Sequence, residues 1–228
     1  MTEGEADRLA EVEADNRRLR RLLEQRDAPG ELRHRMRSTL AMLRIIIRMT
    51  AETERDLPSY VAHLQDRLDA LARAQAAADM SGGVGLHDLL SEELLRYAAR
   101  EGDQVRLCGP GLLLLPRAAQ VLSLAVHELA VNALEHGALR SDAGRIHVDW
   151  SIEYGPRSAV LILDWKEDGP LPLSGEQPGG FGFRVLRETL PYETGAETRL
   201  AFEPGGLVFS LSLPLTEQIG LAAPRQGG

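Results

Sequence analysis

Along this chain the spacing of apolar residues shifts from mainly helical to mainly strand-like after His136, and that change restricts the fold more than any other feature. Up to His136 most apolar residues recur at threes and fours, the period of a helix with a buried face. From Arg145 to Leu215 they mostly alternate or run together, as strands do, apart from DGPLPLSGEQPGGFGFRVLRETL, a Gly- and Pro-rich loop opening into a helix. RIHVDWSIE and SAVLILDWK are two such runs joined by YGP, and TRLAFEP and GLVFSLSLP form a hairpin around a Pro-Gly-Gly turn. Before the change, a helix from about Leu86 to Arg100, a strand at QVRLCG, a GPG turn and an apolar LLLLP lead into a long helix from Pro116 to His136. Helices gathered on one side of a largely antiparallel sheet make an α+β fold with an α/β sandwich.

The first third of the chain is helical and repetitive. In residues 5–26, Leu9, Asn16 and Leu23 recur every seven positions with Val12 and Leu19 between them. A heptad seam with one polar position is the pattern that sets a parallel two-stranded register. DAPG breaks it at 27–30. Leu32, Met36, Thr39, Leu43, Ile46 and Thr50 then mark one helix, and DLPS starts another through Leu57, Val61, Leu64, Leu68, Leu71, Gln75 and Ala78. Two such helices make an antiparallel hairpin. Leu40 and Ile47 lie off its seam, so a second copy in a homodimeric four-helix bundle is expected to cover them. The expected division is a coiled-coil helix at 1–30, a hairpin at 31–82 ending in the linker SGGVG, a sandwich domain at 83–215 and a loose tail at 216–228.

Composition removes several classes of function. With 228 residues, 43% of them hydrophobic, the chain is long enough for a packed core. Its charged first twenty residues suit neither a signal peptide nor a membrane anchor, so no membrane insertion and a cytoplasmic location are expected. A net charge of −8 argues against a nucleic-acid surface. The single cysteine, Cys108, permits no internal disulfide and reads as a small core residue.

The chemistry concentrates in three places. In HELAVNALEHG, at 127–137, Leu122, Ala125, Val126, Leu129, Ala133 and Leu134 form an apolar face, while Glu128, Asn132, Glu135 and His136 share one stripe at i, i+4, i+7 and i+8. Polar groups on one line of a half-buried helix need a partner. The turn WKEDGP at 165–170 is the second place. The third is PGGFGF, whose glycines open a helix where free backbone N–H groups attract phosphate, although it is not a Walker A loop.

ELRHR, HELAVNALEHGAL, WKEDGP and GGFGFRVL, in that order, resemble the HWE family of histidine kinases, with His127, Trp165 and Glu167 in the signature positions. The resemblance runs over roughly residues 31 to 215 and implies a dimerising helical hairpin followed by an ATP-binding sandwich of the GHKL type. It implies His34 as phosphoacceptor, Asn132 as the magnesium ligand and Glu128 as a group that orients water or accepts a proton. It further implies Glu167 as the acidic reader of adenine, with Gly169 permitting close approach. Gly180, Phe181 and Gly182 would form the lid over the phosphates, and Glu135 and His136 would complete the ATP contacts. ATP and Mg²⁺ are the implied cofactors and a response-regulator receiver domain the implied partner, with input through the N-terminal helix or a separate sensor protein. His127 and Trp165 read as structural.

Two positions depart from the family pattern: Ser38 stands where Asn is usual, and Glu135 where Lys is usual. NALEHG also resembles the anti-sigma-factor serine kinases of the same superfamily. That enzyme class, and an ATP-independent histidine phosphotransfer or scaffold protein with a degenerate ATP domain, are the alternatives.

Overall fold

The computed structural model describes residues 36–37, 39–52, 56–97, 99, 101–156, 158–169, 180–217 and 219–222. His34, Ser38 and the heptads of residues 5–26 lie outside the described residues. The chain divides into two compact units, residues 1–45 and 46–228. In the first unit the described residues are helical. The second unit carries everything that follows.

It opens with helical residues 46–51 (α1) and the helix α2 (Leu57–Ser81). Asp56 caps α2 as its side chain accepts from the Ser59 amide at 3.0 Å, with Pro58 in the first turn, where the missing N–H costs nothing. Ala70, Leu71, Ala74 and Ala78 make its buried side, while Leu57 and Val61 at its start are exposed. SGGVG is not a free linker. Gly82 ends α2 in the left-handed conformation, and Val84–Gly85 (β1) pairs antiparallel with Leu112–Leu114 (β3). Next comes α3 (Leu86–Leu95), shorter than the run to Arg100 expected from sequence.

A five-stranded sheet forms the other layer, in the order β2-β4-β5-β7-β6. These strands are Val105–Cys108 (β2), Arg145–Tyr154 (β4), Ala159–Asp168 (β5), Glu197–Glu203 (β6) and Gly206–Leu215 (β7). Only the β2–β4 pairing is parallel. Alternation sends Ile146, Val148 and Trp150, then Leu161, Leu163 and Trp165, then Leu207, Phe209, Leu211 and Leu213 into the core. Cys108 corrects the core reading. It is exposed, because β2 is an edge strand whose inward positions are Val105 and Leu107, and the pleat turns the next residue outward. The tail is corrected as well: Gly220–Ala222 (β8) pairs with β3 and closes a three-stranded sheet, β1-β3-β8.

Between the layers runs α4 (Pro116–Glu135). Every residue from Ala118 to Ala130 is buried, so α4 is covered on all sides rather than half-buried, the signature of a central helix. At its far end the helix emerges, and Leu134, assigned from sequence to the apolar face, is 41% exposed. The final helical stretch comprises α5 (Phe181–Arg184), a π-helical turn (Val185–Thr189) and α6 (Leu190–Thr194). No helix among the described residues is long and apolar enough to cross a membrane.

Candidate functional site

The polar stripe of α4 divides as the helix leaves the core. Glu128 is 3% exposed, Asn132 half-buried, and Glu135 and His136 exposed, facing each other across 3.5 Å. Immediately beyond the helix, the Ala138 amide donates to Glu167 Oε2 at 2.9 Å. Glu167 reaches this place because it continues the inward series of β5, Leu161, Leu163, Trp165, at the same period of two. The Trp165 indole N–H donates to its other oxygen at 3.3 Å. Gly137 is required here, since a side chain at that position would collide with the Glu167 carboxylate. Residues 165–168, expected from sequence as part of a turn, are the last residues of β5, and Gly169 just after them packs beside Ala138 just beyond the end of α4.

Burial raises the Glu167 pKa, opposed by the Ala138 and Trp165 hydrogen bonds. The carboxyl is therefore easier to protonate in the fold than in the unfolded chain, and its contribution is full below the unfolded value and lost as pH rises through the raised one. Glu167→Gln should flatten this dependence: the stability of the wild type relative to the variant should fall as urea midpoints are compared from pH 4.5 to 8.

The start of α5 meets α4 at Gly182. A Cβ there would lie 2.9 Å from Glu128 Oε2 and 3.2 Å from Asn132 Nδ2, so a larger residue would press on both side chains. The Asn132 Nδ2 atom is buried without a hydrogen-bond partner. An unpaired amide at such a place costs free energy unless a ligand group completes it. Thus Glu128, Asn132, Phe181 and Gly182 are brought together, and Glu167 with Gly169 forms a second cluster at the helix end. Gly180 is the residue before α5.

Sequence reasoning missed Arg67. From α2 its Nε donates to Glu128 Oε1 at 2.7 Å and its Nη2 to Oε2 at 3.1 Å, a two-pronged pair whose side chains are 5% and 4% exposed. Nη1 donates to Thr50 at 3.2 Å, and the guanidinium lies 3.6 Å from the centre of the Phe181 ring. Breaking such a buried pair from one side costs about 3–5 kcal/mol. A signal was present: Arg67 is three residues after Leu64 and four before Leu71, on the apolar side of the helix. His127 is structural in its contacts, with Nδ1 2.8 Å from Glu93 and 3.0 Å from the Tyr97 hydroxyl, and Arg73 also reaches Glu93 at 2.9 Å. Its partners come from α3 and the residues just after it.

The residues present suit a nucleotide phosphate and a hard divalent ion, given a buried carboxamide nitrogen without a partner and a glycine that leaves room beside it. Rotation of the Asn132 amide exchanges its oxygen and nitrogen, so its acceptor can take the orphaned place. Among the described residues no group of three or more His, Cys, Asp or Glu side chains gathers to hold a metal alone. A magnesium ion there would be shared with phosphate oxygens and water, its usual manner of binding.

The same architecture occurs in a solved blue-light activated histidine kinase of Erythrobacter litoralis, at a TM-score of 0.58 and 20% identity over 83% of this chain and 59% of that one. The chain therefore shares the fold of that protein. The chain matches the HWE histidine kinase family over residues 31–111, which include His34. It is 35% identical over 198 residues to Blue-light-activated histidine kinase 1 of Erythrobacter litoralis, across 84% of this chain and 54% of that protein. It is 28% identical over 191 residues to Blue-light-activated histidine kinase of Brucella anthropi, across 83% of this chain and 39% of that protein. The chain thus spans about half or less of the length of these relatives.

Proposed function

We propose that the chain is an ATP-dependent protein histidine kinase that phosphorylates His34 and passes the phosphoryl group to an aspartate of a response-regulator receiver domain. The observation that carries this reading is the approach of Gly182 to Asn132 and Glu128, at a place where the Asn132 Nδ2 atom is buried without a hydrogen-bond partner. In the first step an imidazole nitrogen of His34 attacks the γ-phosphorus, the bond to the β–γ bridging oxygen breaks, and ADP leaves. In the second, a receiver carboxylate oxygen attacks the same phosphorus and the N–P bond breaks, returning neutral His34. Both steps need in-line positioning and charge neutralisation more than covalent help. Magnesium, when bound, supplies part of that neutralisation.

Asn132 would hold the metal through its carboxamide oxygen. Glu167 has both carboxylate oxygens already engaged, but each keeps a lone pair, so it can still accept from an exocyclic amine. Gly182 admits the lid backbone. The pairing of Glu128 with Arg67 makes positioning, rather than free proton acceptance, the role its surroundings favour. Ile47, Leu57 and Val61 are exposed, which is consistent with a second copy covering the hairpin in a homodimer.

Calorimetric titration with ATP tests the reading: binding is expected with Mg²⁺ and is expected to weaken sharply when the metal is chelated. Absence of binding in both conditions would favour an ATP-independent phosphotransfer protein.

Glu135 is expected to limit that affinity. It is exposed one turn beyond Asn132, near the place the triphosphate would occupy. A unit charge at roughly 6 Å and an effective dielectric near 20 contributes on the order of 2–3 kcal/mol before screening. Solvent and salt reduce this to about 1 kcal/mol, so Glu135→Lys should tighten ATP about fivefold in the same titration.

A further inference from the structure

Arg67 and Glu128 sit where a polyanion is expected, yet one of them is itself an anion within van der Waals reach of the lid glycine. A Cβ on Gly182 would lie 2.9 Å from the Glu128 carboxylate. Unneutralised, that carboxylate would repel a triphosphate held at Asn132, one helical turn away. Arg67 neutralises it, with both prongs of the guanidinium on both carboxylate oxygens. The same guanidinium covers the Phe181 ring. The lid helix has a second tie to the preceding helical segment, because the Arg184 side chain donates to Glu52 just after α1.

We propose that Arg67 is a positioning residue of the nucleotide site, keeping Glu128 neutralised and Phe181 in place so that a phosphate chain is accommodated beside Asn132. This rests on the nucleotide reading above. It adds that the charge balance of the site is completed by a side chain from the helical hairpin. A purely structural ion pair would affect melting alone. A neutralising pair affects binding, and with opposite sign for its two members.

Titration of the full chain with Mg-ATP distinguishes these. Arg67→Met leaves the Glu128 anion uncompensated and should weaken Mg-ATP at least tenfold. Glu128→Gln leaves the Arg67 cation uncompensated and should tighten it at least threefold. The double variant, neutral again, should return to within threefold of the wild type. Arg67→Lys keeps the charge but not the two-pronged geometry, and should also remain within threefold. Raising salt should narrow the gap between the two single variants. Should Arg67→Met fail to fold, Glu128→Gln decides the sign and the double variant the balance. Single variants that are folded and bind within twofold of the wild type overturn the proposal, as does a double variant weakened tenfold. A wild type that does not bind Mg-ATP overturns the nucleotide reading instead.

Discussion

His34→Gln is expected to reduce incorporation of the γ-phosphate of ATP into the chain to background, while Mg-ATP binding stays within twofold of the wild type. An imidazole with an ordinary pKa near 6.5 is mostly neutral at pH 7 and offers an unshared electron pair on one ring nitrogen. The glutamine amide has similar polarity, but its nitrogen lone pair is delocalised into the carbonyl and does not attack phosphorus. Binding should be spared because the residues expected to touch nucleotide, Asn132, Glu167, Gly169, Gly180 and Gly182, come from other segments of the chain. Labelling with γ-labelled ATP and titration of the same preparation check both halves. Label persisting in the variant would place the acceptor elsewhere.

Asn132→Asp is expected to weaken Mg-ATP roughly 30-fold and to remove most of the gain that magnesium gives. The change is nearly isosteric, so packing around α4 should survive. It introduces a second anion one turn from Glu128, and at about 6 Å from a triphosphate with an effective dielectric near 20 one charge is worth on the order of 2–3 kcal/mol. A carboxylate is a good magnesium ligand in isolation. Here the added ligand strength is opposed by repulsion from phosphate oxygens sharing the same ion. Calorimetry with and without Mg²⁺ measures the difference, and unchanged affinity in both conditions would remove Asn132 from the site.

Much of this arrangement was legible from spacing alone. The stripe of Glu128, Asn132, Glu135 and His136 is a property of a 3.6-residue helix, whereas the inward placement of Glu167 follows from alternation along β5, which runs on through residues that read from sequence as a turn. What spacing does not carry is the neighbour that arrives from far away in the chain. Arg67 and Glu128 are separated by 61 residues, and their pairing depends on α2 packing against α4. The same limit applies to Glu93 and His127, 34 residues apart. Cys108 was misplaced because an apolar residue type was weighed above strand position, and edge strands expose one face. Gly220–Ala222 was missed because a three-residue strand has no period to read. The complete burial of α4 from Ala118 to Ala130 follows from tertiary packing, since Gln120, Ser123, His127 and Glu128 would each read as solvent-facing alone.

The central claim is that the chain transfers phosphate from ATP to a histidine. Incubation of the wild type with γ-labelled ATP and Mg²⁺, followed by acid and alkali treatment of the labelled protein, tests it most directly. A phosphoramidate is expected, with label lost in acid and retained in alkali. Label that resists acid would be a hydroxyl ester and would favour the serine-kinase alternative, and no label at all would contradict the kinase reading.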